Sequence, residues 1–518
     1  MNKRKQAGGV LVFLPGAAIL SVILILSVSV RAQNGNYVVI GPSDSAADII
    51  RKAAHVVPSA RQLRWQKLEV TAFFHFGINT FTNHEWGDGK EDISQFNPEK
   101  LDARQWVRIA RDAGVRQVII TAKHHDGFCL WPSQYTEHSV KNTPWKNGKG
   151  DVVKEVSDAC REYGIGFGVY LSPWDRNSAI YGDSEKYNAY FENQLTELLT
   201  NYGRVDEVWF DGANGEGPNG KKPVYDFDAW YALIRRLQPT ATIAIMGPDV
   251  RWVGTESGVG RLTEWSVLPV DSRLQEKIAA GSQTDVAFAP QGDMMKEDLG
   301  SRARLLTAKG LIWYPAETDV SIRPGWFHHP EEDEKVKTPE DLLTIYFSSV
   351  GRNSLLLLNI PPDKSGLIGK NDELNLLAWK KKIDETFAVN RAWGAGIHSF
   401  NGLNTAALLD GRDDTHFTTK GSDTTTQIEF TLKGEKTFDV LLLQEDIRAG
   451  QRIERFVLEY RQRDGSWKTV TEGTTVGYKR LLQFPAVTTG KVRLRIESSR
   501  SNPTLAEFGL YELAGGSE

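Results

Sequence analysis

The stretch Gln117-Val118-Ile119-Ile120-Thr121-Ala122-Lys123-His124-His125-Asp126-Gly127-Phe128 carries an apolar run straight into side chains capable of chemistry. Gln117–Ala122 reads as a β-strand, and His124, His125 and Asp126 fall just past its C-terminal end. The same arrangement recurs to either side. Ala72–Ile78 reads as a strand carrying His75, Gly166–Leu171 as a strand carrying Tyr170 with Trp174-Asp175 beyond it, and Glu207–Phe210 as a strand followed by Asp211. Amphipathic stretches lie between them. Asp102–Ala113, Val152–Tyr163, Tyr187–Tyr202 and Phe227–Leu237 read as helices, closed by Gly114, Gly164, Gly203 and Pro239, and Thr242–Met246 as a further strand. This β-then-α rhythm indicates parallel strands joined by crossover helices. A doubly wound sheet would share it. Polar and aromatic residues at successive strand C-termini select a (β/α)8 TIM-like barrel instead. Neither a G-x-G-x-x-G turn nor a phosphate-binding loop follows the first strand, which counts against a dinucleotide-binding fold.

Beyond the barrel the pattern changes. Ser354–Ile360 is a Leu-rich strand ending in Pro361-Pro362, and Asp372–Thr386 reads as a helix. From about Asn390 to Leu513 short alternating strands recur with turn signals between them, among them Gln427–Leu432, Val440–Leu443, Phe456–Tyr460 and Val492–Ile496. They predict a C-terminal β-sandwich of jelly-roll type. The expected division is a signal peptide over 1–32, a lead-in over 33–65, the barrel with its connecting segment over 66–385, and the sandwich over 386–518.

At 518 residues the chain is longer than one hydrophobic core usually serves, in keeping with that division. It is 40% hydrophobic and 25% charged with a net charge of −4, so it offers no broad field for nucleic acid or an anionic membrane. Fifteen tryptophans are many, and a good part of them sit beside Gly, Asp, His or Pro, as they do in sugar sites, where an aromatic face packs on pyranose C–H groups. The remainder read as core. Lys3, Arg4 and Lys5, the apolar run Val10–Val30, and Val30-Arg31-Ala32 read as an export leader cleaved after Ala32, with an uncleaved anchor as the alternative. The expected location is periplasmic or extracellular, with no stable membrane association once the leader is gone. Cys129 and Cys160 form no disulfide framework and read as free thiols.

The sharpest local signal is Val208-Trp209-Phe210-Asp211-Gly212. Alternate strand residues share a face, so Trp209 and Asp211 point together into the barrel mouth, a carboxylate beside an aromatic floor. The structural alternative is an Asp that caps the next helix. His124-His125 invites a metal site, but adjacent strand residues face opposite sides, and sugar contact is the better reading. His75 in His75-Phe76-Gly77 and the Glu85-Trp86-Gly87 triplet, taken alone, read as structural.

Together, His75-Phe76-Gly77, Glu85-Trp86-Gly87, Thr121-Ala122-Lys123-His124-His125-Asp126-Gly127-Phe128 and Trp209-Phe210-Asp211-Gly212 resemble glycoside hydrolase family 29, the α-L-fucosidases, in order and spacing over roughly Leu68 to Ile360. The resemblance implies a retaining hydrolase of fucosylated oligosaccharides or glycoconjugates, a barrel with a C-terminal β-domain, no cofactor and no catalytic metal. It implies Asp211 as nucleophile, with His75, Glu85, Trp86, His124, His125, Tyr170 and Trp209 on the sugar. Arg251-Trp252-Val253-Gly254-Thr255-Glu256 and Pro315–Trp326 resemble segments of the branch acting on α-1,3/1,4-linked fucose. That likeness implies Glu256 as acid/base and sugar contacts from Arg251 and Trp326, with Glu264 and Glu317 as rival acids. A retaining glycosidase for L-galactose and a non-catalytic glycan-binding protein are the competing readings. The terminal sandwich reads as a buttress ahead of a carbohydrate-binding module.

Overall fold

The computed structural model describes residues 35–270 and 297–515, so the leader expected over Met1–Ala32 lies outside the described residues. Among the described residues, eleven strands precede the C-terminal domain: β1 (Tyr37–Val39), β2 (Val70–Phe74), β3 (Gln117–Lys123), β4 (Gly166–Leu171), β5 (Glu207–Phe210), β6 (Thr242–Ile245), β7 (Arg251–Trp252), β8 (Val267–Pro269), β9 (Gly310–Trp313), β10 (Ala316–Ser321) and β11 (Ser354–Asn359). Eight of them form one sheet in the order β6-β5-β4-β3-β2-β11-β10-β7, every pair parallel. It is a near-closed barrel: among the described residues no ladder joins β6 to β7.

Local chemistry explains why the crossover helices start where they do. Ala103–Asp112, Val152–Tyr163, Ser184–Asn201 and Phe227–Leu237 are preceded by Asp102, Asp151, Asp183 and Asp226, and each carboxylate accepts a backbone N–H of the first turn. A cap of this kind stabilises a helix by about 1 kcal/mol. Gly164 closes the second of these helices in the left-handed conformation, φ 70°. β2–β6 are almost entirely buried on both faces, and their apolar residues share one continuous core with these helices.

Two expectations need correction. The first barrel strand is Val70–Phe74 and stops before His75, because Gly77 opens a short helix at Ile78–Thr82. Phe76 belongs to an aromatic cluster with Phe81, Phe96 and Trp106 outside that strand. Within the lead-in, β1 pairs antiparallel with β9, which pairs with β8, in a separate three-stranded sheet. In the C-terminal domain, Gln427–Leu432 and Val440–Leu443 are two parts of one twenty-residue strand, Thr426–Glu445.

That strand pairs with Gly396–Ser399 at one end, Leu505–Tyr511 at the other, and with the equally long Arg480–Ser499 throughout, its register shifting between Thr431 and Lys436. Long strands that bend at such irregularities pass from one layer of a sandwich to the other. The sandwich has its own apolar core, including Phe430, Phe438, Phe456, Leu494 and Phe508. It meets the barrel at the end remote from the strand C-termini. Tyr478 and Lys479 donate to Glu69 immediately before β2, and Asn353, immediately before β11, accepts from Tyr478 N at 2.7 Å. Cys129 and Cys160 are free and buried. Among the described residues no helix is long and apolar enough to cross a membrane.

Candidate active site

Asp211 directly follows β5. Its Oδ2 accepts the Tyr170 phenol at 3.0 Å, and its Oδ1 accepts Ala213 N–H at 2.7 Å. The following helix is capped by Asp226, so Asp211 is free of that duty. Its side chain is 22% exposed and lies 3.9 Å from His125 Nε2. Burial, and then the Asp211 charge, hold the Tyr170 phenol well above its ordinary range, so it stays a donor. Trp209, two residues before Asp211, stacks on Tyr170 at 5.1 Å between centroids and anchors its indole N–H on Glu317 at 2.7 Å.

The histidines are neutral donors and acceptors whose tautomers follow from their partners. Asn359 Nδ2 donates to Ser321 Oγ and Trp326 O, which leaves Asn359 Oδ1 to accept from His75 N and Nδ1. His75 therefore carries its proton on Nδ1 and presents Nε2 as an acceptor. Burial pushes its pKa down to about 3. His125 is fixed likewise: Ser172 Oγ gives its proton to Trp174 O and accepts from His125 Nδ1 at 2.7 Å, so Nε2 faces Asp211. Burial lowers the pKa of His125, and of His124 more strongly.

The expected opposition of His124 and His125 is not what the structure has. The strand ends at Lys123 and the chain turns at Gly127, φ +81°, so strand alternation no longer applies and the two rings lie 4.1 Å apart. Gly127 also lets Asp175 approach: a Cβ there would lie 2.5 Å from Asp175 Oδ1. Trp86 and Trp174 stand edge to face at 5.6 Å and flank His125 at 5.4 and 5.1 Å.

Glu256 sits on the loop after β7, exposed at the rim. Although the side chain is reached by solvent, the pocket walls displace most of the water around its carboxyl. This desolvation is the main cause that pushes its pKa up to about 7, helped by the charges of Asp211 and Glu85 and opposed by a hydrogen bond from Trp326 Nε1 at 3.2 Å. Trp326 also packs against His75 at 5.1 Å.

Several of the expected site residues have partners within the protein. Glu85 holds a loop: its carboxylate accepts Trp326 N at 2.8 Å, Phe327 N at 3.2 Å and His329 Nε2 at 2.6 Å, and Gly325 leaves room for it. Arg251 does not join the pocket. Alternate residues of β7 face opposite ways. Trp252 takes the inward side and donates to Asp319, while the buried Arg251 guanidinium is bonded to Glu264, Tyr314 O and Trp265 O. Glu264 is thereby removed as a rival acid, since it is 1% exposed and paired with Arg251 and Arg261. Glu317 is fully buried beneath Trp209. Sequence reasoning noted Trp174 at a strand end without giving it a sugar contact, and passed over Asn359. Asn359 ends β11, so the strand-terminus rule that picked out Asp211 applies to it equally.

The pocket thus gathers two carboxyls, neutral imidazoles and five aromatic faces at the C-terminal mouth of a barrel. Residues 57–381 match the alpha-L-fucosidase family and residues 394–508 the F5/8 type C domain. The chain is 43% identical over 465 residues to alpha-L-fucosidase 1 of Arabidopsis thaliana, covering 88% of this chain and 87% of that one. The crystal structure of a glycoside hydrolase 29 family member from an unknown rumen bacterium is similar with a TM-score of 0.73 at 42% identity, over 88% of this chain and 77% of that one. A Ruminococcus gnavus GH29 fucosidase in complex with fucose is similar with a TM-score of 0.77 at 31% identity, over 93% of this chain and 98% of that one. Matched along both its barrel and its sandwich, and carrying its carboxyls where barrel enzymes keep their chemistry, this chain belongs to the α-L-fucosidase family of glycoside hydrolases.

Proposed function

We propose that the chain is a retaining exo-α-L-fucosidase in which Asp211 is the nucleophile and Glu256 the acid/base. The observation that carries this reading is the asymmetry of the pair. Asp211 is oriented by Tyr170 and Ala213 N–H, while Glu256, on the opposing rim loop, holds a proton up to about pH 7. In a retaining site the two carboxyls lie ~5–5.5 Å apart and divide the work in this way. Asp211 attacks the anomeric carbon as Glu256 passes its proton to the departing glycosidic oxygen, leaving a fucosyl ester. Glu256, now ionised, takes a proton from water, which attacks the same carbon and releases Asp211. His75 Nε2 is set to accept from a fucose hydroxyl, and Trp86, Trp209 and Trp326 supply apolar faces for the C–H groups and the methyl. The fucose held by the related R. gnavus structure supports this ligand.

The same proposal extends to α-1,3- and α-1,4-linked fucose. Glu256 and Trp326 bring the loops after β7 and β10 into contact at the rim. There a branching galactose would bind beyond the fucose and lend its binding energy to orienting the scissile bond. Proton NMR of the first-formed product tests the mechanism: α-fucose must appear before mutarotation, and initial β-fucose overturns it. kcat/KM on Lewis-type trisaccharides should exceed that on an α-1,2-fucosyl disaccharide, and the reverse order defeats the loop argument. The charged start and apolar run of Met1–Ala32 support export, with Gln33 as the first residue of the mature chain. N-terminal sequencing of secreted material checks this, and an intact Met1 in the cytoplasmic fraction contradicts it.

A further inference from the structure

Strand β10 directs Glu317, Asp319 and Ser321 to one face, and each holds a different part of the site. Glu317 accepts the indole of Trp209, Asp319 that of Trp252, both at 2.7 Å, and Ser321 Oγ donates to Gly325 O in the Trp326 loop at 2.7 Å. The mechanism above uses none of these three. Asp319 is set apart by what it adjoins. The loop that bears Glu256 leaves β7 at Trp252 and returns to β10 at Gly258. Its backbone is tied at both ends, Val253 N–H to Glu317 O at 2.8 Å and Gly258 N–H to Asp319 O at 3.0 Å. At Gly258, φ +71°, a Cβ would crowd Ile345, and then Val320 of the same strand, so the loop is pressed closely against β10 and the helix behind it. A side-chain tie joins loop root and strand as well: Trp252 Nε1 donates to Asp319 Oδ1, with both residues almost fully buried.

We propose that Asp319 is a positioning residue for the acid/base, clamping the root of the Glu256 loop to β10 through the Trp252 indole. The proposal rests on the assignment of Glu256 as acid/base. The titratable groups that face Asp319 are Glu256 and Glu317, and among the described residues it has no cationic partner. Burial first, and the Glu256 charge second, hold its carboxyl well above the usual range, so it stays a neutral acid. A neutral acid can accept the indole N–H without adding negative charge beside Glu256. An ionised one would impede the return of Glu256 to its charged state, which the second half-reaction needs.

A general acid must lie within hydrogen-bond reach of the leaving oxygen, and misplacement by 1 Å can cost about 100-fold. A loop loosened at Trp252 therefore harms substrates that need protonation and spares those that do not. The test compares kcat/KM of Asp319→Ala, Asp319→Asn and Trp252→Phe on a Lewis-type trisaccharide and on an aryl fucoside with an acidic phenol. Asp319→Ala should lose about 100-fold on the trisaccharide and far less on the aryl fucoside. Asp319→Asn, which keeps the accepting oxygen and the neutral state, should behave as wild type on both. Trp252→Phe should reproduce the Ala pattern, and it carries the test if Asp319→Ala does not fold. Equal losses on both substrates, or an Asn variant as impaired as Ala, would overturn the proposal. Glu256→Ala is run alongside. If it fails to discriminate the two substrates, the acid/base assignment is at fault; if it discriminates and the clamp variants do not, the clamp is.

Discussion

Trp326 donates its indole N–H to Glu256 Oε2 at 3.2 Å, so the loops after β7 and β10 meet at the proposed acid. The bond favours the ionised carboxylate, while desolvation and the charges of Asp211 and Glu85 favour the protonated one. The balance places the transition at about pH 7. A group with a raised pKa is protonated below that value, so kcat/KM on glycans should fall as pH rises through about 7, with a much shallower fall on an aryl fucoside. Trp326→Phe removes the one contact that favours ionisation and should move this alkaline limb to higher pH. A limb that moves down or stays in place contradicts the assigned partner.

Glu264 should behave as a structural residue. It is buried against Arg251 and Arg261, and removing one partner of a buried pair typically costs about 3–5 kcal/mol because the other charge is stranded. Glu264→Ala should therefore lower stability in denaturant unfolding while depressing glycan and aryl fucoside turnover alike. A stable Glu264→Ala enzyme that loses activity only on glycans would return Glu264 to candidacy as the acid.

Asn359 holds four groups at once: His75 N–H and Nδ1–H as acceptor, Ser321 Oγ and Trp326 O as donor. Asn359→Ala leaves these groups short of a partner, and each buried unmet hydrogen bond costs about 1–3 kcal/mol. The His75 ring is then free to change tautomer and the Trp326 loop to shift. Weaker inhibition by free fucose, together with a lower unfolding midpoint, is the expected outcome. An unchanged inhibition constant would show that His75 is fixed by something else.

The barrel was legible where its strands are apolar and its caps are Asp and Gly. Four of the five strands read in its first half, from Gln117 to Ile245, emerged within one residue of the observed limits, because each is an unbroken buried run between helices with clear stop signals. The sixth and seventh barrel strands, β7 and β10, were not identified as strands. β7 is two residues long, and β10 reads Ala-Glu-Thr-Asp-Val-Ser, with carboxyls turned inward where a barrel strand normally carries hydrocarbon. The site showed the same division. Asp211 was visible because a carboxylate ends an apolar strand, whereas Glu256 stands in a loop with no period and was reached only through resemblance. Arg251 was misplaced because a segment likeness carries no information about which face of a two-residue strand an arginine takes. Glu85 accepts from two backbone N–H groups and an imidazole supplied from more than 200 residues away in sequence, a partnership no local pattern encodes.

A covalent bond from Asp211 to the sugar is the central step of the proposed mechanism, and trapping that bond tests it most directly. A fucosyl fluoride with fluorine in place of the 2-hydroxyl has a good leaving group but destabilises the charged transition states, so the first step outpaces the second and the ester accumulates. Intact-mass analysis should show one fluorofucosyl group per chain, and peptide mapping should place it on Asp211. A label on any other carboxylate, or inactivation with no label at all, would contradict the mechanism.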